Sequence, residues 1–564
     1  MCGIAGLYAY LDVAPAVDHG ELARMRGADG SGDWVSADGR TGFTQRRPGA
    51  DGAFVITFDG EIDNYRELRA ELQAKGRVFR GDSDTEVLLQ LYEDRGAAMV
   101  DGLRGTFALG LWDARQRRLL LARDPLGIKP LYYADDGWTL RFASRAKSLL
   151  AGGAVSREIR SLPAGTTLLV DGTGPDAPLN AQRMAGRMAR SGGGVTTGAR
   201  ILALVSDCYG AQGGIARYNQ DLFGALAADD AEILILPRLE SAAGLTLPAG
   251  IRQVPPVFNS LIYSLAALRA AWRHRPIDVV FCGHVFMAPL ARLLCRLFGA
   301  YFWVQAHGVD VWARRRRWVR WGIEAADMMT LVSRGTRRSL LEWVDLSPER
   351  ARVLPNTVRE VFAPGPPSEA LRARLGLGPG PILLTVARLA SVDRYKGHEE
   401  IFAALPALRA RHPTLVHVVA GDGDDRARLE KRALELAHDP AAVRFLGYVP
   451  EEDLPDLYRL SDLFVMPSSE EGFGIVYLEA AACGLRVIGG VGGGSEDAIP
   501  DERVGVLVDR ADGAALTAAV LRLLGQGRAD LAALEPYRRP HFAAGARLLL
   551  ARLRARPRRM KGEA

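Results

Sequence analysis

The stretch that most constrains this chain runs from Leu463 to Gly484. Leu463-Phe464-Val465-Met466 is an apolar run that reads as a buried strand, and Pro467 stops it. A glycine-punctuated acidic turn follows, Ser468-Ser469-Glu470-Glu471-Gly472-Phe473-Gly474. The Ala-rich segment after it reads as a helix with Gly484 as its stop. A strand that feeds a helix through such a turn aims unpaired backbone N–H groups past the sheet's carboxyl edge, a ready anion site. Glu471 in the turn and Glu479 in the helix stand eight residues apart. One carboxylate can address a cleft while the other reaches polar hydroxyls a turn or two along. Taken alone, the pattern also fits an ordinary strand–turn–helix with solvated acids, so the rest of the chain has to decide.

At 564 residues the chain exceeds one hydrophobic core, and roughly two to four domains are expected. A hydrophobic content of 48% with 24% charged residues belongs to the soluble globular class. No uncharged apolar run reaches the roughly 18 residues of a membrane span. The nearest candidate, Phe286 to Val304, is broken by Arg292 and Arg296. Met1-Cys2-Gly3-Ile4 has no basic leader or following apolar core, so no signal peptide is expected. Cys2, Cys208, Cys282, Cys295 and Cys483 are odd in number, scattered and without metal spacing. That usage fits a reducing cytoplasm and no disulfide framework. The net charge of +6 is mild, and where the charges fall is more informative.

Residues 1 to 180 alternate short strands and turns with two helices, Asn64 to Lys75 and one capped by Ser83-Asp84-Thr85-Glu86. Five strings stand in order here: Met1-Cys2-Gly3-Ile4-Ala5-Gly6; Arg26-Gly27-Ala28-Asp29-Gly30-Ser31-Gly32; Gly60-Glu61-Ile62 with Asn64-Tyr65; Ser83-Asp84-Thr85-Glu86; and Leu121 through Tyr133. Their order and spacing resemble the class II glutamine amidotransferases, in the form of the asparagine synthetase glutaminase domain. The resemblance implies an Ntn-hydrolase-type αββα sandwich with Cys2 as nucleophile. With Met1 removed, Cys2 would carry a free α-amino group of pKa about 8 that can take the thiol proton. By the same resemblance Arg47 binds the glutamine α-carboxylate, Glu61 and Asp84 bind its α-amino group, and the Gly60 N–H serves the oxyanion hole.

Two departures mark this copy. The family's oxyanion Asn is replaced by Asp59, and an ionised carboxylate repels a developing oxyanion. The loop after Gln45-Arg46-Arg47 is also short for the family. Both a glutaminase feeding ammonia to a partner and an inert glutamine-sensing module therefore remain open. No synthetase ATP loop follows: Ser191-Gly192-Gly193-Gly194-Val195-Thr196-Thr197 lacks its Asp and second Ser. Residues 181–198 read as a polar, Gly-rich linker.

From residue 199 a second organisation begins. Ala199 to Val205 is a buried-strand signal, followed by Gly213-Gly214 opening a helix. Further β/α units lead to Gln305-Ala306-His307-Gly308-Val309-Asp310 at a strand's carboxyl end. Phe362-Ala363-Pro364-Gly365-Pro366-Pro367 has hinge composition. Arg388 follows the strand Pro381–Val386, and Lys396-Gly397 comes soon after. With the opening stretch, these motifs resemble the retaining GT-B glycosyltransferases of family 4.

The resemblance implies two Rossmann-like domains, 199–365 on the acceptor side and 366–555 binding a nucleotide sugar, with a last helix crossing back and a basic tail at 556–564. It also implies that Glu471, with Gly472, Phe473 and Gly474, faces the transferred sugar, that Glu479 holds the nucleotide's ribose, and that His307 lies beside the sugar. Gly213 and Gly214 would approach the diphosphate, and Arg388 and Lys396 would clamp it. Two fixed cations can stabilise a departing diphosphate without a metal, so no metal or cofactor is expected. Gly421-Asp422-Gly423-Asp424-Asp425 is accordingly read as a loop beside the nucleotide. The expected reaction is sugar transfer with retention to an acceptor hydroxyl, in polysaccharide or glycolipid assembly.

Arg314-Arg315-Arg316-Arg317-Trp318-Val319-Arg320-Trp321 is the sharpest charge feature. It could be a solvated helix face, and no module supports nucleic-acid binding. Trp318 and Trp321 share a helical face, and tryptophan beside arginine suits a membrane–water interface. Peripheral contact of a cytoplasmic protein with an anionic membrane carrying a lipid-linked acceptor is the expectation.

Overall fold

The computed structural model describes residues 4–26, 33–44, 47–48, 52–81, 83–154, 158–176, 179–180, 198–211, 213–239 and 246–556. Cys2, residues 27–32 and the stretch 181–197 lie outside the described residues. The chain forms two compact units. One comprises Met1–Thr197 with Ser347–Arg352 and Leu548–Pro557, and the other holds most of the remainder.

The first unit contains two antiparallel sheets. One orders its strands Ile159–Ser161, Tyr132–Asp135, Thr139–Ala143, Ala5–Ala9, Thr41–Thr44 and Asp33–Val35. The other runs Gly174–Pro175, Thr166–Asp171, Arg118–Arg123, Gly105–Asp113, Phe54–Ile62 and Arg47–Pro48. Period-two alternation places successive residues in different cores. Val55, Trp112, Leu119 and Leu121 meet Tyr8, Phe43 and Phe142 between the sheets. Their neighbours Ile56, Leu111, Leu120 and Ala122 pack with Leu68, Leu72, Leu88 and Leu91, from the helices Tyr65–Ala74 and Asp84–Arg95 on the outer face. Leu7, Ala134 and Ala143 pack with Leu22, Met25 and Leu149, from the helices His19–Arg26 and Ala146–Ala151 on the other side. The result is an αββα sandwich. Its two late segments are tied in by Arg352 Nη1 donating to the Thr173 carbonyl at 3.0 Å and by an Arg552–Asp171 ion pair at 3.1 Å.

The second unit holds two parallel sheets of the same winding. The first includes, in this order, the strands Ile251–Gln253, Glu232–Pro237, Arg200–Val205, Val279–Cys282, Tyr301–Ala306 and Met328–Leu331. The second runs Val443–Gly447, Val416–Ala420, Ile382–Val386, Leu463–Met466, Arg486–Gly490 and Gly505–Val508. In each, the strand order reverses beside the first strand, so two crossovers leave the sheet's carboxyl edge in opposite directions and open a crevice there. The strand residues of Leu463–Met466 are all buried, as their unbroken apolar run requires. The helix Arg539–Arg554 returns to the first of these sheets' helices: Phe542 meets the Tyr218 ring edge-on with centroids 5.6 Å apart, and Arg539 pairs with Asp221 at 3.5 Å. This is GT-B architecture. Among the described residues no helix is long and apolar enough to cross a membrane.

Candidate active site

The turn after Leu463–Met466 is held by backbone rather than by long side chains. Gly474 caps the helix Ile475–Ala482 in the left-handed region, with φ 84°. The Gly494 N–H donates to the Glu471 carbonyl at 2.7 Å, and Thr336 Oγ1 donates to the Gly472 carbonyl at 3.1 Å. Phe473 is buried with its ring 6.1 Å from that of Tyr537. Its side chain anchors the turn, and the flanking glycines let it pack closely: a Cβ on Gly472 would lie 2.1 Å from the His307 carbonyl and one on Gly474 2.5 Å from the Tyr477 ring.

Around this turn the structure gathers side chains from both sheets. Glu471 is buried and ion-paired with Lys396, which reaches it from the loop after Ile382–Val386. Arg388, at the start of the same loop, is held by buried Asp393 at 2.7 Å while 69% of its side chain stays exposed. Tyr395 donates to the other Asp393 oxygen at 3.1 Å, so one buried carboxylate orients two groups of the loop. From the first sheet, His307 Nε2 lies 3.2 Å from the Gly283 carbonyl, a contact that requires the proton on Nε2 and leaves Nδ1 as an acceptor. Burial pulls the His307 pKa down to about 4, so its ring is neutral near neutral pH. Asp310 accepts from the His307 and Gly308 N–H groups at 3.0 and 2.8 Å and fixes that loop.

Glu479 is buried, and burial pushes its carboxyl pKa up. Arg217 binds one of its oxygens at 2.8 Å, and the Tyr458 hydroxyl donates to the other at 3.1 Å. Arg217 also pairs with Glu451 at 2.9 Å, and Glu451 takes Arg359 as well. Arg217 carries no assignment from the sequence, yet a signal was present. It sits in the first turn of the helix Gly214–Ala227, where the macrodipole disfavours a cation unless an anion compensates. Gly213 precedes that helix with φ 104°, and Gly214 has open space around the position of a Cβ. Asp424 bonds Ser391 through Oγ at 2.6 Å, and Asp425 is paired with Arg428 and Arg394. Among the described residues no cluster of three or more His, Cys, Asp or Glu side chains could hold a metal ion.

In the first unit, Asp59, Gly60 and Glu61 lie within the strand Phe54–Ile62, which extends past Phe58 because it pairs with Gly105–Asp113 along its whole length. Gly60 has φ 145°, and a Cβ there would lie 2.0 Å from the Thr106 carbonyl, so no other residue fits. Asp59 is ion-paired with Lys129 at 2.9 Å, a partner the sequence reading missed. Lys129 is positioned in turn by Asp124, which accepts from the Leu126, Ile128 and Lys129 N–H groups at 3.1, 3.0 and 2.9 Å. Glu61 is exposed, and Asp84 opens the helix Asp84–Arg95 behind its Ser83 cap. Arg47 lies in the short strand Arg47–Pro48. Cys2 lies outside the described residues.

Residues 1–170 match the glutamine amidotransferase domain family, residues 212–360 Glycosyltransferase Family 4, and residues 368–537 glycosyl transferases group 1. The chain is 30% identical over 336 residues to the GDP-mannose-dependent α-(1-6)-phosphatidylinositol monomannoside mannosyltransferase of Mycobacterium tuberculosis, covering 55% of this chain and 85% of that protein. It is 36% identical over 211 residues to the protein of the same description from Mycolicibacterium smegmatis, covering 36% of this chain and 54% of that one. To asparagine synthetase 1 of Bacillus subtilis it is 39% identical over 170 residues, 27% of each chain. The chain thus spans about half of the M. smegmatis protein and about a quarter of the synthetase. Among solved structures, Anabaena HepE in complex with UDP-glucose matches with a TM-score of 0.52 at 18% identity, over 63% of this chain and 99% of that one. A glycosyltransferase from Rickettsia africae gives a TM-score of 0.52 at 18% identity, over 63% and 98%. At such identities the likeness establishes a shared fold.

Proposed function

Since this chain belongs to the family 4 glycosyltransferases and carries a glutamine amidotransferase domain ahead of them, we propose that it transfers a hexose from a nucleotide diphosphate sugar to an acceptor hydroxyl with retention. The observation that carries this reading is the meeting of Glu471 with Lys396 beside the His307–Gly308 loop. The bond that breaks joins the sugar's anomeric carbon to the diphosphate, and negative charge grows on the departing oxygen. Arg388, pre-oriented by Asp393 and largely exposed, and Lys396 are fixed cations for that charge. Glu471 accepts hydrogen bonds from sugar hydroxyls, and neutral His307 accepts another through Nδ1. Gly213 and Gly214 let the first sheet's helix approach the diphosphate, the Gly472–Gly474 backbone lines the sugar's other side, and Glu479 addresses the ribose once Arg217, which holds one of its oxygens, gives way. GDP-mannose and UDP-glucose are the first donors to test, because proteins similar to this chain are described with them. Glu471→Ala and Arg388→Ala should each lower turnover roughly a hundredfold with the fold intact. Wild-type turnover in both variants overturns the assignment.

The acceptor reading includes peripheral contact with an anionic membrane through Arg314 to Arg317, Trp318 and Trp321. Support comes from the helix Arg317–Glu324, on which Trp318 and Trp321 are both about half exposed. Arg316 stands just ahead of that helix rather than within it.

For the N-terminal domain the Asp59–Lys129 pair supports glutamine binding with slow hydrolysis, which suits a module that senses glutamine. A carboxylate locked to an ammonium donates no hydrogen bond to an oxyanion, and one lost donor costs roughly a hundred- to a thousandfold. Asp59→Asn should therefore raise glutamate release from glutamine, and Cys2→Ala should abolish the gain. Equal release by the wild type and Asp59→Asn would favour an active glutaminase feeding a partner.

A further inference from the structure

The helix Ser260–Arg273 is apolar on two opposite sides. Tyr263, Ala267 and Ala271, spaced i, i+4, i+8, are buried against its own fold. Leu261, Leu265, Leu268 and Trp272, spaced i, i+4, i+7, i+11, form a second stripe that is 78, 67, 40 and 61% exposed. Phe258 and Ile262 extend it and are exposed too. The buried stripe accounts for the fold, and the exposed one does not contribute to it. An outward apolar stripe of this length on a folded domain marks an interaction surface.

The stripe is one part of a wider face. Right-handed crossovers place this helix, Ala288–Phe298 and Arg317–Glu324 on the same side of their sheet, because all three connect strands in the same direction along it. Neighbouring helices of this set are in contact. Leu293 and Leu297 are exposed on the middle helix, and Trp318 and Trp321 on the third. The charges interleaved with them have one sign. Arg275 lies 3.7 Å over the Trp272 ring and Arg292 lies 3.8 Å over the Trp321 ring. The one acid on the three helices is Glu324, which Arg320 binds at 2.6 Å. Arg269, Arg273, Arg296, Arg314, Arg316 and Arg317 have no ion pair with any described residue.

Unpaired arginines bordering exposed leucines and half-exposed indoles complement an anionic lipid surface, which offers phosphates, an interfacial belt for indoles and an apolar interior at increasing depth. We propose that this three-helix face seats on an anionic bilayer, with Leu261, Leu265, Leu268 and Trp272 entering its apolar region, and that the acceptor is an amphiphile carried by that bilayer. The acceptor half follows from connectivity. The helix Val309–Trp312, next to His307, is joined to the helix Arg317–Glu324 by residues 313–316 alone, so a seated face brings the His307 loop to the lipid surface. The proposal rests on the membrane contact suggested for Arg314 to Arg317 and moves its principal anchor to Ser260–Arg273.

The test is sedimentation of the full chain with vesicles of phosphatidylglycerol and phosphatidylcholine, against phosphatidylcholine alone, at physiological salt. The wild type should co-sediment with the anionic vesicles only. Leu265→Glu with Trp272→Glu should reduce the bound fraction at least tenfold, and Arg316→Glu with Arg317→Glu should also reduce it. Hydrolysis of the sugar donor in solution should be unchanged in both variants, which separates loss of seating from loss of fold or of transferase chemistry. Binding lost in the arginine variant but kept in the Leu265/Trp272 variant overturns the proposal and leaves the basic-loop contact standing. Absence of wild-type binding overturns both, whatever the donor hydrolysis. Self-association relieved by Leu265→Glu with Trp272→Glu, without vesicle binding, assigns the face to a second copy and also overturns the proposal.

Discussion

Gly308 and Gly472 meet backbone to backbone: a Cβ on Gly308 would lie 2.4 Å from the Gly472 Cα, and one on Gly472 would lie 2.1 Å from the His307 carbonyl. The contact joins the loop after Tyr301–Ala306 to the turn after Leu463–Met466, and so sets His307 against Glu471. Gly472→Ala has no flexible side chain to displace, so the two loops must part. A shift of about 1 Å at a reacting centre is enough to cost roughly a hundredfold. Turnover of Gly472→Ala, measured by donor transfer, should fall by that order while its far-UV circular dichroism stays that of the wild type.

Gly213 and Gly214 should separate into two kinds of defect. Gly213 has φ 104°, so alanine there is strained by about 1 kcal/mol or more and should lower Tm. Gly214 has no positive φ and nothing within 4 Å of a built Cβ, so Gly214→Ala should keep the wild-type Tm. A raised KM for the nucleotide sugar in Gly214→Ala, at constant Tm, would then report close approach of a ligand. Unchanged KM would remove Gly214 from the donor site.

The legible parts were those written in contiguous residues. Pro467 to Gly484 carries its strand stop, turn and helix stop in one run, and the strand alternation around Val55 and Leu120 encodes both cores of the sandwich. What was not legible depends on partners far along the chain. Lys129 meets Asp59 across 70 residues and Arg217 meets Glu479 across 262, and neither separation has a periodicity to betray it. Gly308 reads as an ordinary loop glycine until the Gly472 backbone lies against it. The helix Ser260–Arg273 carries apolar residues on two sides with Arg269 and Arg273 beside them, and only its packing reveals which stripe stays outside.

Arg217 should behave as the counter-ion that lets Glu479 stay charged. Arg217→Met leaves a buried carboxylate with the Tyr458 hydrogen bond and the more distant Arg359 charge, and breaking such a pair costs about 3–5 kcal/mol. Removing the charge as well should restore most of that loss, because a neutral amide is cheaper to bury. Urea denaturation of Arg217→Met, Glu479→Gln and the double variant forms the cycle. A double variant no more stable than Arg217→Met would show that the arginine acts through packing rather than charge.

Acid should weaken the second unit before it titrates ordinary carboxylates. Burial lowers His307 and His398 from 6.5 to about 4 and His417 to about 3, with the nearby Lys396 charge adding to the effect on His398. Geometry fixes the His417 tautomer: Thr385 Oγ1 donates to the Val465 carbonyl at 2.5 Å and so accepts from His417 Nε2 at 2.9 Å, while buried Nδ1 has no partner among the described residues to accept from it if it took up a second proton. A depressed histidine pKa means the unfolded chain binds more protons between the two values. Stability from the neutral rings is then complete above pH 6.5 and is lost as pH falls toward 4, at up to about 1.4 kcal/mol per pH unit for each ring. Buried Glu479 works in the opposite sense, since its raised pKa favours protonation of the folded state. A single-site comparison isolates the histidine. His417→Phe should be less stable than the wild type at pH 7.5, and the gap should narrow by about 1–2 kcal/mol at pH 5 because only the wild type still has that proton to take up. A gap that stays constant across this range in urea denaturation would mean that His417 is not the buried neutral ring described.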